Sequence, residues 1–208
     1  MGFMMSCGKK LEEQVNYLHE LFKRHGTDKA HHRYAIPYAR FLANLKEDPI
    51  TFIEIGVKKG KSLASWREYF PKASIIGIDI DAQCKSFESD RIKICIGDQS
   101  DKQFLTQVSK DHGPFDVIID DGSHESFDQQ TSLSCLWDNL NPGGIYIIED
   151  LSCCRWENFN KKRCKKQTYE HVRDMVKKVV IGRQARNTKE IYLYCNVAII
   201  VKPYDWKW

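Results

Sequence analysis

Thr51-Phe52-Ile53-Glu54-Ile55-Gly56-Val57-Lys58-Lys59-Gly60-Lys61-Ser62 combines an apolar run, a turn punctuated by two glycines and the start of a helical segment. From Ile50 onward the same rhythm repeats, short apolar runs alternating with helical stretches, as in a parallel sheet wrapped by helices. The spacing predicts strands at Thr51–Gly56, Ser74–Asp79, Ile92–Ile96, Phe115–Asp120 and Gly144–Ile148, joined mostly by helices at Ser62–Phe70, Lys102–Lys110 and Ser126–Leu140. A further helix is expected at Gln167–Ile181, with Val172, Met175, Val176 and Val179 on one face. The final runs, Glu190–Tyr194 and Val197–Lys202, are too close for a crossover helix and must be antiparallel.

Upstream of this α/β pattern, Leu11, Val15, Leu18 and Phe22 recur at helical spacing and predict a helix over Lys9–His25 that stops at Gly26. A second helix is expected at Pro37–Leu45, with Pro37 in its first turn. The chain of 208 residues, 42% of them hydrophobic, reads as one domain over 1–208, with a helical cover (1–48) and a core (49–208). Its longest apolar stretches, Ile75–Ile80 and Ile145–Ile148, fall far short of the roughly 20 residues of a membrane helix, so no membrane role is expected. Eight cysteines without a C-x-x-C pair read as reduced thiols of a cytoplasmic protein. A net charge of +4 is too mild to imply nucleic acid by itself. The cations at Lys161-Lys162-Arg163-Cys164-Lys165-Lys166 read as a solvated loop, with a rim for an anionic substrate as the alternative. A homo-oligomer is left open.

The glycine turn has three readings. A dinucleotide fingerprint would need glycine where Glu54 stands, and a carboxylate there repels pyrophosphate. A P-loop needs one residue more than Gly56–Ser62 supplies. The third is a positively charged, phosphate-free cofactor, S-adenosylmethionine, with Glu54 facing its amino or sulfonium end and Gly56 and Gly60 allowing close backbone approach. Asp79 then accepts from the ribose hydroxyls, Asp81 caps the next helix, and Asp98 of Gly97-Asp98-Gln99-Ser100 accepts from the adenine amino group.

Two further strand ends carry paired acids, Asp120-Asp121 and Glu149-Asp150. If these strands are parallel neighbours about 4.8 Å apart, their carboxylates converge at one sheet edge and ask for a cation. Oxygen ligands without a His/Cys cluster favour magnesium or manganese.

Gly26-Thr27-Asp28-Lys29, Glu54-Ile55-Gly56-Val57, Gly77-Ile78-Asp79-Ile80-Asp81, Gly97-Asp98-Gln99-Ser100-Asp101, Asp120-Asp121-Gly122-Ser123-His124 and Ile148-Glu149-Asp150-Leu151 together resemble a known family. It is the class I S-adenosylmethionine-dependent methyltransferases, in particular the magnesium-dependent sugar O-methyltransferases related to the macrocin and mycinamicin enzymes and the cephalosporin hydroxylase-like group. The resemblance implies a Rossmann-like α/β fold with helices on both faces of a seven-stranded, mostly parallel sheet, ordered 3-2-1-4-5-7-6 with the last strand antiparallel. It implies Asp120, Glu149 and Asp150 as metal ligands, and Thr27, Lys29, Glu54, Gly56, Gly60, Ser62, Asp79, Asp98, Gln99 and Asp120 around the cofactor. Asp120 would also take part in catalysis as a ligand, while His124 is the first candidate for the base and Asp121 the second. Members of this branch often carry a histidine two residues after the Glu-Asp pair, where this chain has Ser152. The expected substrate is a sugar hydroxyl of a glycan or glycosylated metabolite, such as a deoxyhexose. Tyr34, Tyr38, Trp156 and Tyr169 are candidates to stack on the ring, with core packing as the alternative. Rival functions are methylation of a catechol or other vicinal diol, RNA 2′-O-methylation, and non-catalytic S-adenosylmethionine binding.

Overall fold

The structure is a computed structural model and describes residues 2–159, 164–180, 188 and 190–204. Helices α1 (Gly2–His25) and α2 (Ala35–Leu42) precede strand β1 (Thr51–Ile55), helix α3 (Lys61–Tyr69) and strands β2 (Ser74–Asp79) and β3 (Ile92–Ile96). Then follow α4 (Lys102–His112), β4 (Phe115–Asp120), α5 (Ser126–Leu136), β5 (Leu140–Ile148), α6 (Thr168–Val180), β6 (Glu190–Tyr194) and β7 (Val197–Val201). The strands form one sheet in the order β3-β2-β1-β4-β5-β7-β6. Strands β1 to β5 pair in parallel, and β7 runs antiparallel to both β5 and β6.

Strand alternation sorts the core into two layers. Phe52, Ile75, Val117, Ile119, Ile147 and Ile199 face the layer shared with Leu18, Phe22, Tyr38, Leu42 and Trp66 of α1, α2 and α3. Ile53, Ile76, Ile118, Tyr146, Ile148 and Ile200 face Leu105, Val108, Leu133, Leu136 and Val172 of α4, α5 and α6. A one-residue shift in any strand would exchange these faces, so the register is strongly specified. The N-terminal helices therefore belong to the core: the Trp66 ring meets Phe22 and Tyr38 edge-on at centroid distances of 5.2 and 5.1 Å. Burial of each such side chain contributes roughly 1.5–3 kcal/mol.

Element boundaries differ most from the spacing at α1 and at the junction of α5 with β5, and α2 is shifted to Ala35–Leu42 from the expected Pro37–Leu45. Helix α1 starts at Gly2 because its backbone ladder continues past the packed face, whose burial begins only at Gln14 and Val15. Helix α5 stops at Leu136 and β5 starts at Leu140, because Phe115 pairs with Leu140 while Val117 pairs with Ile145, leaving Asn141–Gly144 as an irregularity within the strand. Between β2 and β3 a 3-10 segment, Ala82–Phe87, is capped by Asp81 accepting from Gln83 N at 2.9 Å. Ile181 of the last expected helix and residues 161–163 of the basic stretch lie outside the described residues.

The turn after β1 requires its first glycine. Gly56 has φ +96°, and a Cβ there would stand 2.1 Å from the Asp121 carbonyl oxygen. Gly56→Ala is expected to cost at least about 1–3 kcal/mol of stability from backbone strain and collision. A urea midpoint that places the variant within about 0.5 kcal/mol of the parent would contradict this account.

Candidate active site

The carboxyl ends of β1 to β5 and the loops beyond them line a cleft of about 1050 Å³. Its walls are Gly26, Thr27, Asp28 and His31 from the cover, Gly56–Lys59 and Ser62 from the glycine turn, Asp79–Asp81, Gly97–Gln99, Asp121–Glu125, Asp150 and Phe159. The loops are tied to one another by strand-like bonds: Gly56 N donates to Ile78 O at 2.8 Å, Asp121 N to Ile55 O at 3.0 Å, and Glu149 N to Asp120 O at 3.0 Å.

On the nucleoside side, Asp79 Oδ2 accepts from Val57 N and Lys58 N, each at 2.8 Å, and Oδ1 accepts from Asp81 N at 2.9 Å. Burial alone would raise its pKa, but these backbone donors together lower it, so the carboxylate stays ionised. Asp98 Oδ1 accepts from Ser100 N at 2.7 Å at the next strand end. Both acids line the cleft, as do Thr27, Gly56, Ser62 and Gln99.

Glu54, Lys29 and Glu149 lie outside that lining and beneath it. Lys29 is 1% exposed, and its ammonium is 2.6 Å from Asp121 Oδ2, 2.6 Å from Glu149 Oε1 and 3.4 Å from Glu54 Oε1. Burial works against its charge, yet Asp121, Glu149 and Glu54 outweigh it and hold Lys29 well above the usual lysine range. Glu54 also accepts from Ser62 Oγ at 2.8 Å and Trp66 Nε1 at 3.3 Å. With its oxygens occupied by protein donors, Glu54 braces the site from within. Burial pushes its pKa up, as it does for Glu149, which the nearby Asp121 pushes further. Tyr38 Oη donates to Glu149 Oε1. Gly60 caps α3 from outside the cleft, against the Phe87 ring.

Asp121, His124 and Asp150 bring ligand atoms within 4.8 Å of one another at the cleft wall, and so do Glu54, Asp121 and Glu149 deeper in. The two groups share Asp121. The inner one surrounds the Lys29 ammonium, and the outer one opens to the cleft. His124 sits in the left-handed region at φ 60°, with Nε2 3.7 Å from Asp150 Oδ2 and a buried Nδ1 that has no partner among the described residues. An unpaired buried ring nitrogen beside carboxylates fits a site that receives a proton or an ion.

Asp120 does not join either group. It is fully buried, accepts from Gln99 Nε2 at 3.1 Å and lies 3.5 Å from Tyr146 Oη. Strand parity explains this: Asp120 follows Ile118 onto the α5 side of the sheet, whereas Glu54 and Glu149 follow Phe52 and Ile147 onto the α1–α3 side. At this strand end it is Asp121 that meets His124 and Asp150. Burial raises the Asp120 pKa to about 6, against 3.8 for the free group. Between those values the folded state holds the extra proton, so Asp120 makes stability fall as pH rises through that window. Asp120→Asn is expected to keep the Gln99 contact, flatten this decline and leave Mn²⁺ affinity nearly unchanged. Loss of Mn²⁺ binding in that variant would restore Asp120 as a ligand.

Gln99 is occupied likewise, donating to Asp120 and to Ser132 Oγ at 3.0 Å and accepting from Ser123 N at 2.7 Å. Of the aromatic candidates, Tyr34 and Tyr38 are buried, with hydroxyls directed to Asp150 and Glu149, so neither can stack on a sugar. Trp156 and Tyr169 are exposed but line no part of the cleft. Phe159 does line it, with its ring centroid 5.7 Å from that of His124. The motifs pointed to neither Phe159 nor Asn196, which contacts Asp150; nothing in their spacing marks them.

A parallel sheet reversed only at its seventh strand, with acids at successive strand ends around one cleft, defines the Rossmann-like methyltransferase fold. Residues 53–151 match the model of a family described as a methyltransferase domain. It is 38% identical to the 8-demethyl-8-(2-methoxy-alpha-L-rhamnosyl)-tetracenomycin-C 3'-O-methyltransferase of Streptomyces olivaceus, a match covering 64% of this chain and 36% of that protein. It is 29% identical to the mycinamicin VI 2''-O-methyltransferase of Micromonospora griseorubida, covering 96% of this chain and 55% of that one. Among solved structures, the MycE methyltransferase of the mycinamycin biosynthetic pathway, in complex with Mg and SAH, superposes with a TM-score of 0.83 at 29% identity. That match covers 90% of this chain and 54% of the other. The chain thus spans between about a third and just over half of the length of these relatives.

Proposed function

We propose that this chain is an S-adenosylmethionine-dependent, magnesium-assisted O-methyltransferase acting on a sugar hydroxyl of a glycosylated metabolite. The observation that carries the reading is the Asp121–His124–Asp150 group, open to the same cleft as the glycine turn and Asp79. Relatives named for methylation of rhamnosyl and other glycosyl hydroxyls support the acceptor class, and the Mg and SAH of MycE support the cofactors.

The residues fit both groups. Asp79 and Asp98 face the cleft where a ribose and an adenine would be held, and the backbone of Gly56–Lys59 forms the wall beside them. Asp121 and Asp150 would hold a hard divalent ion, consistent with carboxylate oxygen donors. When bound, S-adenosylmethionine supplies an electrophilic methyl group and the ion supplies charge that stabilises an ionised hydroxyl. His124 stands at the cleft wall to take the hydroxyl proton, and its αL turn directs the ring toward Asp150. Lys29 and Tyr38 hold the inner carboxylates in place so that the outer ones keep their geometry. None of the described helices is long and apolar enough to cross a membrane.

The test is transfer of labelled methyl from S-adenosylmethionine to a panel of methyl glycosides, with and without EDTA. Product formation that EDTA abolishes and Mg²⁺ restores is the expected result, with S-adenosylhomocysteine binding retained in EDTA. Turnover that persists in chelator defeats the metal-assisted reading; transfer only to catechols or RNA defeats the sugar acceptor.

A further inference from the structure

Asp150 is held by two segments that lie far from it in sequence. Its Oδ1 accepts from Tyr34 Oη at 2.8 Å and from Asn196 Nδ2 at 2.7 Å. Tyr34 belongs to the N-terminal cover, and Asn196 occupies the turn between β6 and β7. Asn196 makes three more bonds there: its Nδ2 lies 3.1 Å from Tyr34 Oη, its Oδ1 accepts from Ser152 N at 2.6 Å, and its carbonyl accepts from Leu151 N at 3.1 Å. Both Asp150 and Asn196 adopt positive φ, 56° and 69°. Asparagine tolerates that region better than other residues with a side chain, and its amide offers donors and an acceptor together.

We propose that Asn196 and Tyr34 are positioning residues that occupy Asp150 Oδ1 and so dedicate Oδ2, the oxygen nearest His124, to the divalent ion. Because Ser152 N and Leu151 N also bond to Asn196, the hairpin turn fixes the loop after β5 as well as the carboxylate. Hydrogen bonds of this kind, behind the ligand atoms, set the orientation of a ligating carboxylate. Glycine at position 196 would keep the left-handed turn and the backbone bond while deleting only the amide, which makes Asn196→Gly the informative change.

The inference rests on the metal-assisted reading above, and one titration separates the two. Mn²⁺ binding to the full chain is measured by electron paramagnetic resonance with S-adenosylhomocysteine present, for the parent, Asn196→Gly, Tyr34→Phe and the double variant. Each single variant is expected to weaken Mn²⁺ about 10- to 100-fold. The double variant should lose less than the product, since both donors serve one oxygen. Affinity for S-adenosylhomocysteine without metal should not change. In turnover assays the metal activation constant should rise by the same factor while kcat at saturating Mn²⁺ recovers, a split that a merely structural defect would not produce. If the parent binds Mn²⁺ and both single variants bind it equally well, the positioning role is wrong. Should the parent itself bind no Mn²⁺, the metal-assisted function falls first and the positioning role with it. Tyr34→Phe removes a single hydroxyl and carries the test alone if Asn196→Gly does not fold.

Discussion

Lys29→Met is expected to lose about 3–5 kcal/mol of unfolding free energy, because it deletes the cation between Asp121, Glu149 and Glu54 and leaves their charges uncompensated. Methionine fills most of the volume of the lysine stem, so the loss measures charge more than packing. The loss should also depend on pH. Without the ammonium, the buried carboxylates recover stability only by taking up protons, and Glu54 and Glu149 already hold pKa values above 4.5 in the folded chain. A folded state that binds more protons than the unfolded one loses stability as pH rises, so the variant should be weakest at alkaline pH. Urea unfolding at about pH 5 and pH 8 gives both numbers. A loss below about 1 kcal/mol at pH 8 would mean that the inner carboxylates do not need the lysine, and that Lys29 serves the cleft instead.

His124→Asn should lower kcat about 100- to 10,000-fold while leaving the affinities for Mn²⁺ and for S-adenosylhomocysteine almost unchanged. Asparagine suits this position because the backbone at residue 124 has φ 60°. The prediction distinguishes two roles that the geometry places side by side, since the His124 ring nitrogens and the carboxylates of Asp121 and Asp150 lie close enough to share an ion. A base that only moves a proton can be removed without loss of the metal. A ligand cannot, so Mn²⁺ affinity that falls together with kcat would assign His124 to the ion and return the base role to another group.

Acids at the strand ends were legible from residue order alone, because a strand that ends in a parallel sheet must release its last side chains at one edge. Parity was legible too, and it separates Asp120 from Asp121. Ile118 and Asp120 share a face, and that face is covered by α5, so Asp120 is buried against Gln99 and Tyr146 instead of opening to the cleft. Glu54 stands on the opposite face, which sends it to Lys29 and Trp66. Counting alternate residues from the apolar core of each strand would have assigned these faces. No such rule reaches Lys29, whose place depends on how the cover docks.

The amino-acid sequence by itself determined the alternation of strands and helices, the reversed final hairpin, the glycine turn and the five acidic strand ends, since each is written in local periodicity or in turn chemistry. Tertiary structure decided which acids meet and what lies between them. Residues 29, 54, 121 and 149 come together because the face of α1 and α2 packs on α3 and carries the short turn at Asp28–Ala30 over the sheet edge. Asn196 reaches Asp150 because antiparallel pairing of β7 with β5 brings the hairpin turn beside the end of β5. Such contacts span tens of residues and are selected by burial of whole faces, a property that no short stretch of residues encodes.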